Sequence, residues 1–171
     1  NTNRELGVKK GLVVMATGLG KTILSALDVS NTKPKRMLFI AHREEILNQS
    51  YETFQKFIKG RTFGYYQGQN KEIDRNYLFG SIQTIGKKSE LEKFNKNDFD
   101  YIIIDEFHHA GAKSYKNLIE YFENRNLECF IQIGSSAEYG FTKSPQSENF
   151  TCNPKLEYGK AKLKATKYLQ N

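Results

Sequence analysis

Short apolar runs and longer amphipathic segments alternate along this chain. Residues 101–105 are nearly continuous in β-branched residues, as is typical of strands buried on both faces of a parallel sheet. The intervening segments carry apolar residues at helical spacing. The pattern predicts strands at Gly11–Ala16, Met37–Ala41, Tyr77–Ile85, Tyr101–Asp105 and Cys129–Ile133, and helices at Thr22–Ser30, Arg43–Lys59, Ser114–Glu123 and Tyr158–Leu169. Such alternation predicts an α/β fold, a three-layer α/β/α sandwich with a mainly parallel central sheet.

Composition narrows the class of protein. The 171 residues suffice for one domain with a core. Lys and Arg total 26 against 19 Asp and Glu, and this net charge of +7 favours a polyanionic partner, although a basic proteome or a lysine-rich tail would also explain it. No apolar run approaches the ~20 residues that span a bilayer, the start does not resemble a signal peptide, and Cys129 and Cys152 lack metal-ligand spacing. We therefore expect a cytoplasmic protein without a membrane partner.

A glycine-rich turn follows the first strand and precedes the first helix. Backbone N–H groups converge at such a turn, where the helix dipole also favours an anion. Lys21 can reach the β- and γ-phosphates of a nucleoside triphosphate, and the Thr22 hydroxyl can ligate Mg²⁺. Met15 replaces the first glycine of the strict pattern, and a plain glycine-rich turn is the alternative. The predicted nucleotide-binding residues are Thr17, Gly18, Leu19, Gly20, Lys21 and Thr22.

Two carboxylates end the most apolar strand. The sheet's carboxyl edge, where they lie, also carries the phosphate loop, so Asp105 is expected to hold Mg²⁺ and Glu106 to orient and deprotonate the attacking water. With Lys21 they form the predicted catalytic set. The alternative is an acidic turn that caps a helix. His108 has no companions at metal-ligand spacing.

Four motifs, in order, resemble those of the first motor domain of superfamily 2 helicases and translocases, in the branch of the restriction-enzyme motor subunits and their DEAD/DEAH-box relatives. The matching segments are Met15–Thr22 for motif I, Phe39–Ile46 for motif Ia, Ser81–Thr84 for the short motif that follows, and Ile102–His109 for motif II. The resemblance implies a RecA-like P-loop NTPase fold, ATP with Mg²⁺, and movement on nucleic acid, DNA being expected rather than RNA.

The same resemblance implies roles for single residues. Arg43, Ser81, Gln83 and Thr84 would contact the sugar-phosphate backbone, and His108 would couple the nucleotide site to the nucleic acid. The side chains are chemically suited to phosphate. Simpler alternatives are a solvated Arg43 and a Gln83 that caps a strand.

After the fifth strand the helicase pattern ends. Ser135, Tyr158 and Lys162 resemble the Ser/Tyr-x-x-x-Lys set of NAD-dependent nucleotide-sugar epimerases and dehydratases, in which the lysine lowers the pKa of the phenol. A dinucleotide fingerprint is missing, because Ile23 stands where its third glycine belongs. We therefore predict a helicase-type domain at residues 1–127 and an epimerase-like tail at residues 128–171 that completes the same sheet, through a natural fusion, a truncation or an artefact.

Three functions remain open at this stage. The first is an ATP-binding motor half that needs a second motor domain, with its arginine finger, for efficient turnover. The second is an NAD-dependent epimerase or dehydratase fragment. The third is a non-catalytic basic nucleic-acid-binding module.

Overall fold

Strand and helix alternate along the chain in the computed structural model, which describes residues 10–13, 20–105, 112–122, 129–133, 135–142 and 150–170. The strands are β1 (Lys10–Val13), β2 (Met37–Ala41), β3 (Phe63–Gln67), β4 (Asn70–Lys71), β5 (Tyr77–Ser81), β6 (Tyr101–Ile104) and β7 (Cys129–Ile133). The helices are α1 (Lys21–Thr32), α2 (Glu44–Phe57), α3 (Ile82–Ile85), α4 (Lys88–Leu91), α5 (Ala112–Phe122), the 3₁₀ helix η1 (Ser136–Tyr139) and α6 (Glu157–Gln170).

All seven described strands form one sheet in the order β1-β7-β6-β2-β5-β3-β4. Every neighbouring pair is parallel except β3 and β4, which are antiparallel. The carboxyl ends of the parallel strands therefore meet at one edge, which we call the carboxyl edge; the opposite one is the amino edge. The strands β2, β5 and β6 are buried along their whole length, as expected for the middle of a parallel sheet covered on both faces.

Alternate residues of the central strands point into two separate cores. One core joins Leu38 and Ile40 of β2 to α5, through Tyr115 and Leu118. The other joins Met37 and Phe39 to α1 and α2 on the opposite face. Helices thus cover both faces, and the predicted three-layer α/β/α sandwich is confirmed.

Helix α2 shows why the amphipathic pattern predicted it well. Its buried residues Leu47, Ser50 and Phe54 lie on one face. Acidic Glu44 and Glu45 occupy its first turn, where the helix dipole favours negative charge. The helix runs over Glu44–Phe57, slightly shorter than the predicted Arg43–Lys59.

Two parts of the sheet differ from the prediction. The third predicted strand, Tyr77–Ile85, ends at Ser81, because Ile82 and Ile85 are three residues apart and both buried on one side of a helical turn. The hairpin β3–β4 was not predicted at all. Its turn begins at Gly68, whose φ of 54° suits the first central position of a two-residue hairpin turn.

The last predicted strand, β7, lies between β1 and β6 in the sheet. Each of its neighbours is parallel to it, with Val13 of β1 opposite Ile133 and Ile104 of β6 opposite Gln132. Beyond it, η1 and α6 pack against each other. In the described part of the chain, no helix is both long enough and apolar enough to cross a membrane.

Candidate nucleotide and nucleic-acid site

The carboxyl edge brings the two ends of the predicted nucleotide site together. Strand β1 leads towards the phosphate loop and β6 ends at Asp105, while β7 lies between them. Because neighbouring strands are ~4.8 Å apart, β1 and β6 are separated by about 10 Å. This span leaves room for phosphate groups and a metal ion between the two strand ends.

Gly20, Lys21 and Thr22 begin α1 in a form that suits an anion. Gly20 is the N-cap, with φ 76° and ψ 31°, a left-handed conformation that favours glycine. Among the described residues, no side chain caps the start of this helix, and its first turn carries no acidic residue. The first intrahelical bond is donated by Leu24 N to Gly20 O, at 2.9 Å. The N–H groups ahead of Leu24 and the positive end of the dipole are therefore directed at a site that a phosphate can fill.

Asp105 is held firmly where β6 ends. Its backbone N–H donates to the carbonyl of Ile40 at 2.8 Å, which extends the pairing of β6 with β2 by one residue. The residue is only 7% exposed. Carboxylate and hydroxyl oxygens are the ligands that Mg²⁺ prefers. Asp105 and Thr22 supply them, and Mg²⁺ would neutralise charge on the phosphates when bound.

Several predicted site residues lie outside the described residues. They are Thr17, Gly18 and Leu19 of the phosphate loop, and Glu106 and His108 after β6. Their predicted roles stay predictions.

Gln83 and the segment after β2 come together on the same edge. Strands β2 and β5 are paired so that Ala41 lies opposite Ser81. The Gln83 side-chain amide donates to the His42 carbonyl at 2.7 Å and lies 3.1 Å from His42 Nδ1. Gln83 thus caps the end of β2, as its simpler alternative expected, while its exposed position leaves it accessible. Next to His42, Arg43 is exposed at the N-cap of α2.

Ser81 and Thr84 organise the neighbouring turn. The Ser81 hydroxyl donates to Thr84 Oγ1 at 2.9 Å, and the same oxygen accepts the backbone N–H of Gly68 at 3.0 Å. Ser81 is buried and Thr84 half-buried. These hydroxyls tie α3 to the β3–β4 turn.

The epimerase-like residues meet at the end of β7, but their contacts there anchor α6. The Ser135 hydroxyl accepts the N–H of Ala137, and Glu138 Oε1 accepts the N–H of Ser135, which together form a capping box. Buried Lys162 places Nζ 3.5 Å from the Ile133 carbonyl and 5.8 Å from the centroid of the Tyr158 ring. These contacts account for Ser135 and Lys162 as structural groups.

Some residues at this edge were not among the predicted site residues. His42 lies within the segment that resembles motif Ia and is the partner of Gln83, but no role was predicted for it. Glu90 is another, and it accepts hydrogen bonds from Lys71 (2.7 Å), Tyr66 (2.5 Å) and Lys93 (2.9 Å). These bonds, that of Lys71 foremost, lower the pKa of Glu90 to about 2. Burial and the bond to Glu90 raise the pKa of the Tyr66 phenol.

The proteins to which this chain is similar are restriction-enzyme subunits and helicases. The family described as "Type III restriction enzyme, res subunit" matches residues 2–137. A putative ATP-dependent helicase, IRC3 of Saccharomyces cerevisiae, is 29% identical over 145 residues, which are 78% of this chain and 21% of that protein. A putative ATP-dependent RNA helicase, L396 of Acanthamoeba polyphaga mimivirus, is 26% identical over 129 residues, or 75% of this chain and 24% of that protein. The chain therefore spans between a fifth and a quarter of these relatives.

The fold is shared with a solved helicase structure as well. The helicase domain of Pyrococcus furiosus Hef superposes with a TM-score of 0.60 at 22% identity, covering 78% of this chain and 30% of that one. The family match runs past residue 127 and through β7, and these comparisons give no support to the epimerase alternative. The division at residue 127 stays a prediction. With the phosphate-site geometry, the sheet and the sequence match in agreement, the chain belongs to the family of the Type III restriction enzyme res subunit, as a first RecA-like motor domain of the superfamily 2 helicases.

Proposed function

We propose that this chain binds ATP with Mg²⁺ and couples it to contact with nucleic acid, as the first half of a helicase or translocase motor. One observation carries the proposal: the uncapped start of α1, with Lys21 and Thr22, shares an edge with buried Asp105, two strands away. The names of the relatives, as ATP-dependent helicases, support it.

Each residue of the site has a defined task in this proposal. Lys21 binds the β- and γ-phosphates alongside the backbone N–H groups of α1. Thr22 and Asp105 hold Mg²⁺, which neutralises phosphate charge. Glu106 orients and deprotonates water, and His108 couples the two sites. The residue order Asp, Glu, Phe, His at 105–108 makes motif II the DExH kind. Turnover requires a second motor domain in the full-length protein, since an arginine finger contributes ~10³–10⁵ in rate.

The nucleic-acid partner binds at Arg43, Ser81, Gln83 and Thr84, on the same edge. DNA is proposed over RNA because the family is described by a restriction-enzyme subunit, although the mimivirus relative is named as an RNA helicase. Paired DNA and RNA oligonucleotides of one sequence decide between them. We also propose a cytoplasmic location.

The test is the thermal stabilisation of the chain by ATP with Mg²⁺. A ligand present at 100 times its Kd stabilises the folded state by about 2.7 kcal/mol, a readily measured shift of the melting temperature. Lys21→Ala should remove this shift, because the truncation leaves phosphate charge without its cation and costs ~2–5 kcal/mol of binding. Lys56→Ala, which removes an exposed lysine at the end of α2 on the amino edge, is the matched control and should keep it.

Two results would contradict the proposal. The first is no shift with ATP and Mg²⁺ in the unaltered chain. The second is a shift that survives Lys21→Ala. Salt-dependent binding of nucleic acid that ignores Lys21 and Glu106 would instead identify a non-catalytic basic module.

A further inference from the structure

The Gln83 side chain ends in an amide, whose oxygen accepts hydrogen bonds and whose nitrogen donates two. Its Nε2 lies 2.7 Å from the carbonyl oxygen of His42. Because a carbonyl oxygen can only accept, Oε1 in that place would set two acceptors against each other. The contact with the backbone of His42 therefore fixes which end of the amide faces β2.

The imidazole of His42 contacts the same amide nitrogen. His42 Nδ1 lies 3.1 Å from Gln83 Nε2. A proton on Nδ1 would face the amide hydrogens, so the tautomer that fits carries its proton on the other ring nitrogen and accepts at Nδ1. His42 thus offers two acceptors to the two amide hydrogens of Gln83, and the donors of this side chain are occupied within the protein.

The oxygen end of the amide is the part that remains for a ligand. Gln83 is exposed, and among the residues that the structure describes its Oε1 has no hydrogen-bond partner. The bonds to His42 join segments that are 41 residues apart in the chain and hold this acceptor at the carboxyl edge. The side chain therefore has little freedom left to lose when a ligand binds.

The direction of this hydrogen bonding limits what Gln83 can bind. The free oxygens of a phosphodiester only accept, so a phosphate at Oε1 would bring two acceptors together. The groups of nucleic acid that donate include the exocyclic amines of the bases and the 2′-hydroxyl of ribose. Phosphate suits Arg43 instead, which follows His42, is exposed, and carries donors only.

We propose that Gln83 is a specificity-determining residue, which accepts a hydrogen bond from a base amine or from a ribose 2′-hydroxyl. The inference rests on the proposed function, because it divides the contacts of one bound strand between two residues. Arg43 binds phosphate, which every nucleotide has, and Gln83 binds a donor, which only some nucleotides have. Gln83 is thereby the residue of the pair that can tell one nucleic acid from another.

The experiment measures, by fluorescence anisotropy, the binding of four labelled single-stranded oligonucleotides of equal length, in two pairs. In the uridine pair, oligouridylate and oligodeoxyuridylate differ only in the 2′-hydroxyl. In the adenine pair, oligodeoxyadenylate is compared with the analogue in which unsubstituted purine replaces adenine, so that only the 6-amino group is lost. The ratio of the two affinities within a pair isolates the donor, because the phosphates are the same.

The variant Gln83→Met keeps the length of the side chain and removes the amide. In at least one pair, the preference for the oligonucleotide with the donor should fall by about fivefold, as expected for one hydrogen bond between neutral groups. The affinity for the oligonucleotide without the donor should change little. Urea denaturation of the variant checks that it is folded.

Two matched variants serve as controls. Arg43→Gln removes a cation, so it should weaken the binding of all four oligonucleotides by the same factor. It should also lower the slope of log affinity against log salt by about 0.7, the value for one phosphate contact on a single strand. Gln55→Met, which changes an exposed glutamine near the amino-edge end of α2, should leave all four affinities unchanged.

The possible outcomes separate this inference from the proposed function. A reduced preference in the adenine pair assigns the base amine, and one in the uridine pair assigns the 2′-hydroxyl and favours RNA over DNA. An equal loss for all four oligonucleotides with Gln83→Met would overturn the inference, because it would place Gln83 on phosphate. No loss with Gln83→Met would overturn it too and leave Gln83 as a cap of β2, while the proposed function stands if Arg43→Gln still weakens binding. If the unaltered chain binds none of the four, both nucleic-acid statements fall, and the stabilisation by ATP and Mg²⁺ still tests the nucleotide site.

Discussion

The two edges of the sheet use polar residues in opposite ways. At the amino edge, the polar side chains of residues 98–100 and Arg36 bond to the protein itself: Asp100 accepts the backbone N–H groups of Lys35 (2.8 Å) and Arg36 (2.9 Å). Arg36 in turn pairs with Asp98 at 3.2 Å and lies over the Phe99 ring at 5.0 Å. At the carboxyl edge, Arg43 and Gln83 are exposed and Lys21 is half-buried.

This difference follows from the direction of the strands. In a parallel sheet, the helices that follow the strands start at the carboxyl edge, so their N–H groups and dipoles are available there to a ligand. The amino edge has no such use, and its polar groups stabilise the fold instead. The comparison predicts that changes at the amino edge alter stability and leave binding intact, while changes at the carboxyl edge do the reverse.

The largest stability effect is expected from Asp100→Ala. It removes a carboxylate that accepts two backbone hydrogen bonds, so the free energy of unfolding should fall by about 2 kcal/mol. Urea denaturation measures the loss, with exposed Asp74→Ala as the control. The stabilisation by ATP and Mg²⁺ should persist; its disappearance would contradict the separation of the two edges.

Glu90→Gln tests an exception at the carboxyl edge, because the Glu90 carboxylate there is already occupied by hydrogen bonds within the protein. At pH 7 the free energy of unfolding should fall by about 1–2 kcal/mol, since the hydrogen bonds from Lys71, Tyr66 and Lys93 lose their charged acceptor. Its pKa is about 2 in the folded chain and is at the ordinary value of 4.5 when unfolded. The unfolded state therefore takes up the proton first, and this stabilisation is present above pH 4.5 and lost as the pH falls towards 2.

The measurement is the free energy of unfolding at pH 7 and at pH 3. Glu90→Gln should lose less stability over this interval than the unaltered chain does. Glu92→Gln, an exposed neighbour, should follow the unaltered chain. Identical pH dependence in all three proteins would mean that the Glu90 network does not stabilise the fold.

The smallest effect is expected from Gln83→Ala. Its bonds to His42 lie in an exposed position, so the loss of stability should stay below about 1 kcal/mol. Binding of an oligonucleotide should weaken by about fivefold, which corresponds to ~1 kcal/mol. Gln55→Ala, an exposed glutamine near the amino-edge end of α2, is the control. A larger effect on stability than on binding would show that Gln83 serves only to cap β2.

The central elements could be predicted from sequence because their local pattern and their environment agree. The run Met37–Ala41 is apolar throughout and is buried throughout. The hairpin β3–β4 was missed because β4 has only two residues, and because Gly64 interrupts β3, which has no continuous apolar run. Pairing of β3 with β5, a distant segment, makes it a strand. The end of β5 was misplaced because Ile82 and Ile85 suit a strand as well as a helical turn, and only their common burial decides between the two.

The candidate site, too, could be predicted from the sequence only in part. The types and order of Lys21, Thr22, Asp105 and Gln83 along the chain already indicated a phosphate site and its neighbour. The contacts of Gln83 with His42 and of Thr84 with Gly68 join segments that are 41 and 16 residues apart, so no local pattern contains them. In the tail, Ser135 and Lys162 fit a catalytic pattern by residue type and spacing, and the tertiary structure adds a capping box at Ser135 and a contact of Lys162 with the end of β7.

By itself, the sequence determined the alternation of strands and helices, the glycine-rich start of α1 and the excess of positive charge, since these depend on residue types and on short spacings. Only the tertiary structure decided the strand order, which inserts β7 between β1 and β6 and sets the distance across the candidate nucleotide site. It also decided which lysines of α6 are buried and which are exposed, because burial depends on the partner against which a helix packs. Hydrogen bonds and packing across long stretches of chain make those choices, and their energy appears only once the chain is folded.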